Sequence, residues 1–245
     1  MAFIPLYDGT PYRYIRRPFV AWALLAANII IFVVVEHGTW NDADRDSVWS
    51  FGIIPALFNH QFLRPHELAQ IPEWSVLLTY SFFHADFWHL AGNMVFLWVF
   101  ADNIEDAMGH LRFLAFYLLS AVGSGYAYVL SDPTSQAPVI GASGAIAGVV
   151  AAYFILFPYA KIWILALDII PVHIRAVWIL GFWVLFQIYS LLASAGGDLV
   201  AWWVHLGGLV SGAVLVLFLR RPGAALLSAA TAGAASGGRA LRIGN

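Results

Sequence analysis

Gly141-Ala142-Ser143-Gly144-Ala145-Ile146-Ala147-Gly148 sets one serine among glycines and alanines at the head of an apolar run that continues to about residue 158. Small residues let membrane helices approach closely, so on its own the octapeptide reads as a packing motif. Its other reading depends on which polar residues the remaining apolar segments carry to the same depth.

Of the 245 residues, 61% are hydrophobic and 11% charged, more apolar surface than a soluble domain of this length folds inside itself, so the solvent is a bilayer. A formal net charge of -2 without a long basic run excludes a nucleic-acid partner. Cysteine is absent, which removes disulfides and thiolate metal sites. His66-Glu67 has no second histidine to complete a zinc motif, and neither a metal nor a cofactor is expected.

A membrane crossing needs roughly 20 apolar residues. Six stretches qualify, at about 19–35, 87–104, 111–130, 142–158, 173–193 and 199–219. The first follows Arg13, Arg16 and Arg17 but outlasts a signal-peptide core and lacks a cleavage site, so it reads as a retained helix. Positive charge tests the count. With six crossings and the N-terminus inside, the inner segments hold Arg13, Arg16, Arg17, Arg112, Lys161, Arg175, Arg220, Arg221, Arg239 and Arg242, and the outer loops only Arg45 and Arg64. The pattern predicts an all-α polytopic membrane protein, a six-transmembrane-helix bundle with both termini cytoplasmic. An N-terminal segment covers 1–18, the membrane domain 19–221 with a long outside loop at about 36–86, and a flexible Gly/Ala/Ser-rich cytoplasmic tail 222–245. The aromatic parts of the long loop are expected at the membrane interface.

Polar side chains inside membrane spans are costly and are therefore functional candidates. The second span carries His89 and Asn93, the fourth Ser143 and the sixth His205, each in the first turns after the outer face. His89 and Asn93, four apart, share one helix face, and His205, Gly208 and Gly212 share another. If that glycine pair packs on Gly144 and Gly148, His205 stands beside Ser143. A serine hydroxyl needs an adjacent base, most often histidine, and the anionic intermediate needs donors aimed at its oxygen. His205 is the candidate base; the Ser143 amide at a helix start, with the side chains of His89 and Asn93, is the candidate oxyanion hole. No carboxylate is placed to orient the base: Asp198 lies two turns away near a loop, and Asp86 and Glu105 flank the second span. A Ser-His dyad is expected rather than a triad. Asp102 and Asn103 are assigned to the solvated inner end, Glu105 and Asp106 to a cytoplasmic turn, and His84 to loop packing.

Gly141-Ala142-Ser143-Gly144, His89-x-x-x-Asn93 and His205-x-x-Gly208-x-x-x-Gly212, on the fourth, second and sixth spans, together resemble the rhomboid intramembrane serine proteases over about residues 75–221. The resemblance implies a six-helix bundle with a water-accessible cavity open to the outer face, and hydrolysis of peptide bonds in or near a substrate's transmembrane helix. It implies Ser143 as nucleophile, His205 as general base and then acid, and His89, Asn93 and the Ser143 amide as oxyanion donors. The implied partners are transmembrane protein substrates and the lipid bilayer, with the fifth span and the loop after it as the mobile side. Two positions depart from the family. Trp74 is followed by Ser75 where many members have arginine, and the fourth residue after the serine is Ala147 where some members stack a tyrosine on the base. The orientation of His205 must then come from other packing. Two other readings are a rhomboid-like pseudoprotease, which would usually lack the serine or the histidine, and a small transporter, which would carry its polar residues at mid-membrane. The compact form without a seventh helix or large extra domain looks like the bacterial six-helix type, which implies a bacterial inner (cell) membrane.

Because the chain has no cysteine, the topology is directly testable with single cysteines introduced at positions 135 and 161. A membrane-impermeant thiol reagent should label position 135 from outside and position 161 only after permeabilisation. The reverse pattern overturns the topology.

Overall fold

The computed structural model describes residues 3–36, 45–61, 63–166, 169–193 and 199–228. After strand β1 (Phe3–Tyr7) comes helix α1 (Phe19–Val34). A long connection follows, carrying the short helices α2 (Arg45–Phe51), α3 (Pro55–Phe58) and α4 (Val76–Thr79). Then come α5 (Phe87–Met108), α6 (His110–Ser131), α7 (Ser143–Leu156), strands β2 (Lys161–Ala166) and β3 (Ile170–Arg175), α8 (Ala176–Ala193) and α9 (Leu199–Leu219). The long helices fall on the apolar stretches of the sequence. By length and composition α6, α8 and the Trp202–Leu219 part of α9 suffice to cross a membrane, and α1 and α7 are shorter apolar helices. The chain is a polytopic membrane bundle.

Contacts between helices fix their relative directions. Glu36, just past α1, accepts the N–H of His84 before α5, and Glu105 near the end of α5 accepts the N–H groups of Val20 and Ala21 at the start of α1. The two are therefore antiparallel. Gly144 faces Ser124 and Gly148 faces Ser120, so α6 and α7 are antiparallel as well. Gly208 lies against Gly144 and Gly212 against Gly148, so α7 and α9 run parallel. Helix α5 is parallel to α7, with His89 beside Gly141 and Phe100 beside Tyr153. The parts of α5, α7 and α9 that carry His89, Ser143 and Trp202-Trp203-Val204-His205 thus lie at one end of the bundle, which we call the site end.

From the opposite end a feature outside the all-helical expectation reaches back toward the site, an antiparallel sheet in the order β1-β2-β3. In β2 the buried Ile162 and Ile164 alternate with the exposed Lys161 and Trp163, a half-buried strand pattern. Phe3 packs its ring on Phe96 at 5.9 Å, and Asp8 accepts hydrogen bonds from Asn103 Nδ2 and the Tyr153 hydroxyl, each at 2.6 Å. Burial raises the Asp8 carboxyl above its ordinary value and outweighs the bond from Tyr153.

Glu105 and Asp106, assigned from sequence to a solvated turn, are both buried. Asp106 accepts the N–H groups of Arg13, Tyr14 and Ile15, and Glu105 accepts those at the N-terminus of α1 and contacts His110. Each carboxylate therefore serves as the acceptor for backbone that would otherwise be orphaned. Asn103 is likewise buried rather than solvated. The long connection is folded onto the site end: Ile53 bridges Val139, Arg64 pairs with Glu73 through two bonds of 2.9 and 3.0 Å, and the Tyr80 hydroxyl donates to Ala121 O. At the other end, Leu227 and Ser228 donate their N–H groups to Ile155 and Leu156, so the segment after Pro222 begins by capping α7.

Glu105→Ala leaves the N–H groups of Val20 and Ala21 buried without an acceptor. It should cost about 3 kcal/mol, read as a lowered thermal midpoint in detergent, whereas an exposed change such as Trp74→Phe should leave the midpoint in place.

Candidate active site

A cavity of about 540 Å³ opens at the site end and is lined by His89, Asn93, Ser143, Gln187, His205 and a ring of apolar residues that includes Phe96, Trp183 and Trp202. All four polar residues singled out from the sequence line this one space.

Ser143 is the first residue of α7, so its N–H has no partner within the helix. Gly141, two residues earlier, has φ of +130° and donates its N–H to Tyr80 O at 2.8 Å. A Cβ on Gly141 would stand 2.9 Å from His89 Nε2 and 3.8 Å from Ser143 Oγ. The glycine is needed twice, for its backbone angle and for the space taken by the His89 ring. The same geometry puts the histidine nitrogen and the serine oxygen around one point.

His89 is held from both sides. Asp86, the N-cap of α5, accepts its N–H at 2.8 Å, and the Ala85 N–H donates to His89 Nδ1 at 3.3 Å. A ring nitrogen that accepts carries no proton, so Nε2 bears the hydrogen and faces Gly141 and Ser143 as a donor. One turn on, Asn93 is buried and its Nδ2 has no hydrogen-bond partner. His89, Asn93 and Ser143 thus line one cavity, with Asn93 Nδ2 unpaired and the Ser143 N–H free of any partner within its helix. His84 lies behind them, fully buried, its ring 5.3 Å from that of His89. Burial and the neighbouring His89 push its imidazole down to about 3, so it stays neutral.

His205 arrives on α9. A Cβ on Gly208 would stand 2.9 Å from the carbonyl carbon of Gly144, and one on Gly212 would stand 2.6 Å from that of Gly148. Nothing larger than hydrogen fits between these backbones, and Ser124 Oγ of α6 seals the junction by donating to Val204 O at 2.6 Å. His205 Nδ1 lies 2.8 Å from Gln187 Oε1. The imidazole also packs against the rings of Trp183 and Trp202, with centroids 6.0 and 6.3 Å away.

Gln187, Trp183, Trp202 and Phe3 are cavity residues that the sequence reading passed over. For Gln187 a signal was available, an amide in the middle of an apolar span, which is costly without a partner. For Phe3 there was none, because its place depends on pairing with a strand more than 150 residues away. Asp198 lies outside the described residues.

The Rhomboid domain family model matches residues 71–222, more than half of the chain, and the chain belongs to the rhomboid family. Its relatives include Rhomboid protein 1, mitochondrial, of Saccharomyces cerevisiae, 29% identical over an alignment of 230 residues that covers 84% of this chain and 58% of that protein. Presenilin-associated rhomboid-like protein, mitochondrial, of Mus musculus is 36% identical over 97 residues, 39% of this chain and 26% of the relative. RHOMBOID-like protein 12, mitochondrial, of Arabidopsis thaliana is 24% identical over 215 residues, 76% of this chain and 62% of the relative. The matched part of the chain spans less than two thirds of the length of each. These relatives overturn the expectation of a bacterial six-helix type in a bacterial inner membrane, since all three are mitochondrial proteins. That expectation rested on compactness, and the helical bundle carries no mark of the compartment in which it sits.

Gly141→Ala should force the His89 ring away from Ser143 and strain the backbone by about 1–3 kcal/mol. A lowered thermal midpoint in detergent checks it, and a midpoint equal to that of the unaltered chain counts against the geometry.

Proposed function

We propose that this protein is an intramembrane serine endopeptidase that hydrolyses peptide bonds in or near the transmembrane helices of membrane-protein substrates, using Ser143 and His205 as a dyad. The bundle crosses the membrane six times with both termini on one side, and the mitochondrial relatives point to a membrane of that organelle. The observation that supports the reading is that Ser143, His89, Asn93 and His205 line one cavity, with Nδ1 of each histidine engaged in a different hydrogen bond. His89 presents a donor at Nε2, and His205 gives its Nδ1 to an acceptor and keeps a lone pair at Nε2.

Each residue then has one task. Ser143 Oγ attacks the substrate carbonyl carbon while its proton passes to His205 Nε2. The negative charge that develops on the carbonyl oxygen is met by the Ser143 N–H, His89 Nε2–H and Asn93 Nδ2–H, all in place before the reaction begins. His205 hands the proton to the leaving amine, the peptide bond breaks, and an acyl ester remains on Ser143. Water, losing its proton to His205, repeats the attack and releases the acid. The exposed apolar residues of α8, among them Trp178, Phe182 and Phe186, form a face on which a hydrophobic substrate helix can lie.

Ser143→Ala and His205→Ala should each abolish cleavage of a model transmembrane substrate in proteoliposomes while leaving the thermal midpoint in place. Asn93→Ala should lower kcat by roughly 10²–10³ with little effect on KM, the signature of a donor used in the transition state. Cleavage that persists in Ser143→Ala sinks the mechanism. An intact chain that binds the substrate and leaves it uncut supports a pseudoprotease, and solute flux without cleavage supports a transporter.

A further inference from the structure

A dyad leaves the orientation of its base unexplained. Neutral imidazole has two tautomers, and a ring free to turn can present Nδ1–H, Nε2–H or carbon to the serine. Productive chemistry needs one of these states, a lone pair on Nε2. Position 147, where some rhomboids stack a tyrosine on the base, is alanine in this chain, so the aligning group must be sought elsewhere.

Gln187 is that group. It lies on α8, is 5% exposed, lines the same cavity as Ser143, and places Oε1 2.8 Å from His205 Nδ1. An amide oxygen only accepts, so a bond to it requires the proton on Nδ1 and leaves the lone pair on Nε2. Trp183 of α8 and Trp202 of α9 flank the ring and limit its rotation. A buried amide on an otherwise apolar helix costs free energy unless it is hydrogen-bonded, and in this structure His205 provides that bond.

We infer that Gln187 is the positioning residue of the base: it accepts Nδ1–H of His205, sets the tautomer, and aims Nε2 at Ser143, the role a carboxylate takes in a catalytic triad. The inference rests on the proposed function. An amide suits this cavity because a carboxylate would be a buried charge with no cation to balance it. Among the described residues, His89 of α5 is the titratable group that lines the cavity with His205; α7 brings Ser143 to it and α8 brings Gln187. When His205 takes the serine proton, the carbonyl dipole of Gln187 stabilises the imidazolium less than an aspartate would.

Two substitutions and two readouts test this on the full chain. Gln187→Met keeps the length and loses the acceptor; Gln187→Glu keeps the acceptor and adds charge. In proteoliposomes, Gln187→Met should lower kcat by roughly tenfold or more with KM nearly unchanged, because alignment matters only to the reacting complex. Gln187→Glu should recover part of that loss at alkaline pH. It should also move the acidic limb of kcat/KM to higher pH, because a carboxylate beside the ring favours the imidazolium. A role confined to packing α8 would lower activity without moving that limb.

The second readout needs no activity. Nitrogen NMR of histidine-labelled protein in detergent, assigned with His205→Ala, should show His205 as the Nδ1–H tautomer in the unaltered chain and as a tautomer mixture in Gln187→Met. Wild-type kcat in a folded Gln187→Met, or an unshifted acidic limb in a folded Gln187→Glu, overturns the inference, as does an unchanged tautomer in Gln187→Met. Cleavage that survives Ser143→Ala instead overturns the proposed function, and the NMR result then still decides whether Gln187 sets the ring.

Discussion

The backbone contact between α7 and α9 is the constraint on which the site depends. In lipid there is no hydrophobic gain from bringing two apolar helices together, so association rests on close packing and hydrogen bonds. Gly144 against Gly208 and Gly148 against Gly212 supply the packing, and the Ser124 hydroxyl on Val204 O supplies a bond at the point where the helices converge. Two consecutive contacts fix the register as well as the distance. Because Ser143 precedes the first contact on α7 by one residue and His205 precedes it on α9 by three, their common depth follows from the glycine pairing alone.

The two ends of the bundle treat polar groups differently. Away from the site, Glu105 and Asp106 are buried carboxylates whose oxygens accept five backbone N–H groups between them, and Asp8 is tied to Asn103 and Tyr153. Buried charge is tolerable on those terms, and the result is a clamp on the N-terminal segment and the start of α1. At the site, Asn93 Nδ2 is buried with no partner and the Ser143 amide begins a helix, so donors stand ready without acceptors. Leaving a donor unpaired costs roughly 1–3 kcal/mol. On the proposed function, a developing oxyanion supplies the missing acceptor and recovers that cost.

How much of this was legible in the sequence depends on the range of the interaction involved. The long helices were legible because apolar length is a local property, and the gathering of His89, Asn93, Ser143 and His205 in one cavity followed from alternating direction and from residues three or four apart on one face. The sheet was not, because β1 pairs with a strand beyond seven helices, four of them long, and its alternation covers only a few residues. Glu105 and Asp106 were misplaced for a related reason: as isolated charges near a helix end they belong in water, and only the folded N-terminal segment supplies the donors that allow their burial. Gln187 could have been flagged as a polar residue in a span, yet its partner follows only from the antiparallel register of α8 and α9. Compartment was never a property of the bundle, and the relatives rather than the helices corrected it.

That register ties the chemistry to the least buried part of the bundle. Helix α8 exposes Trp178, Phe182, Leu185, Tyr189 and Leu192 and makes sparse contacts with the rest of the protein, whereas α7 and α9 are locked through their glycines. Ser143 and His205 therefore keep their relative depth whatever α8 does. The tautomer of His205 does not, because its acceptor rides on α8 at 2.8 Å. A displacement of α8 by little more than 1 Å stretches that bond beyond useful length and frees the ring to turn. On the proposed function, the close-packed pair α7 and α9 sets the depth of Ser143 and His205, and α8 carries the acceptor that aligns the base.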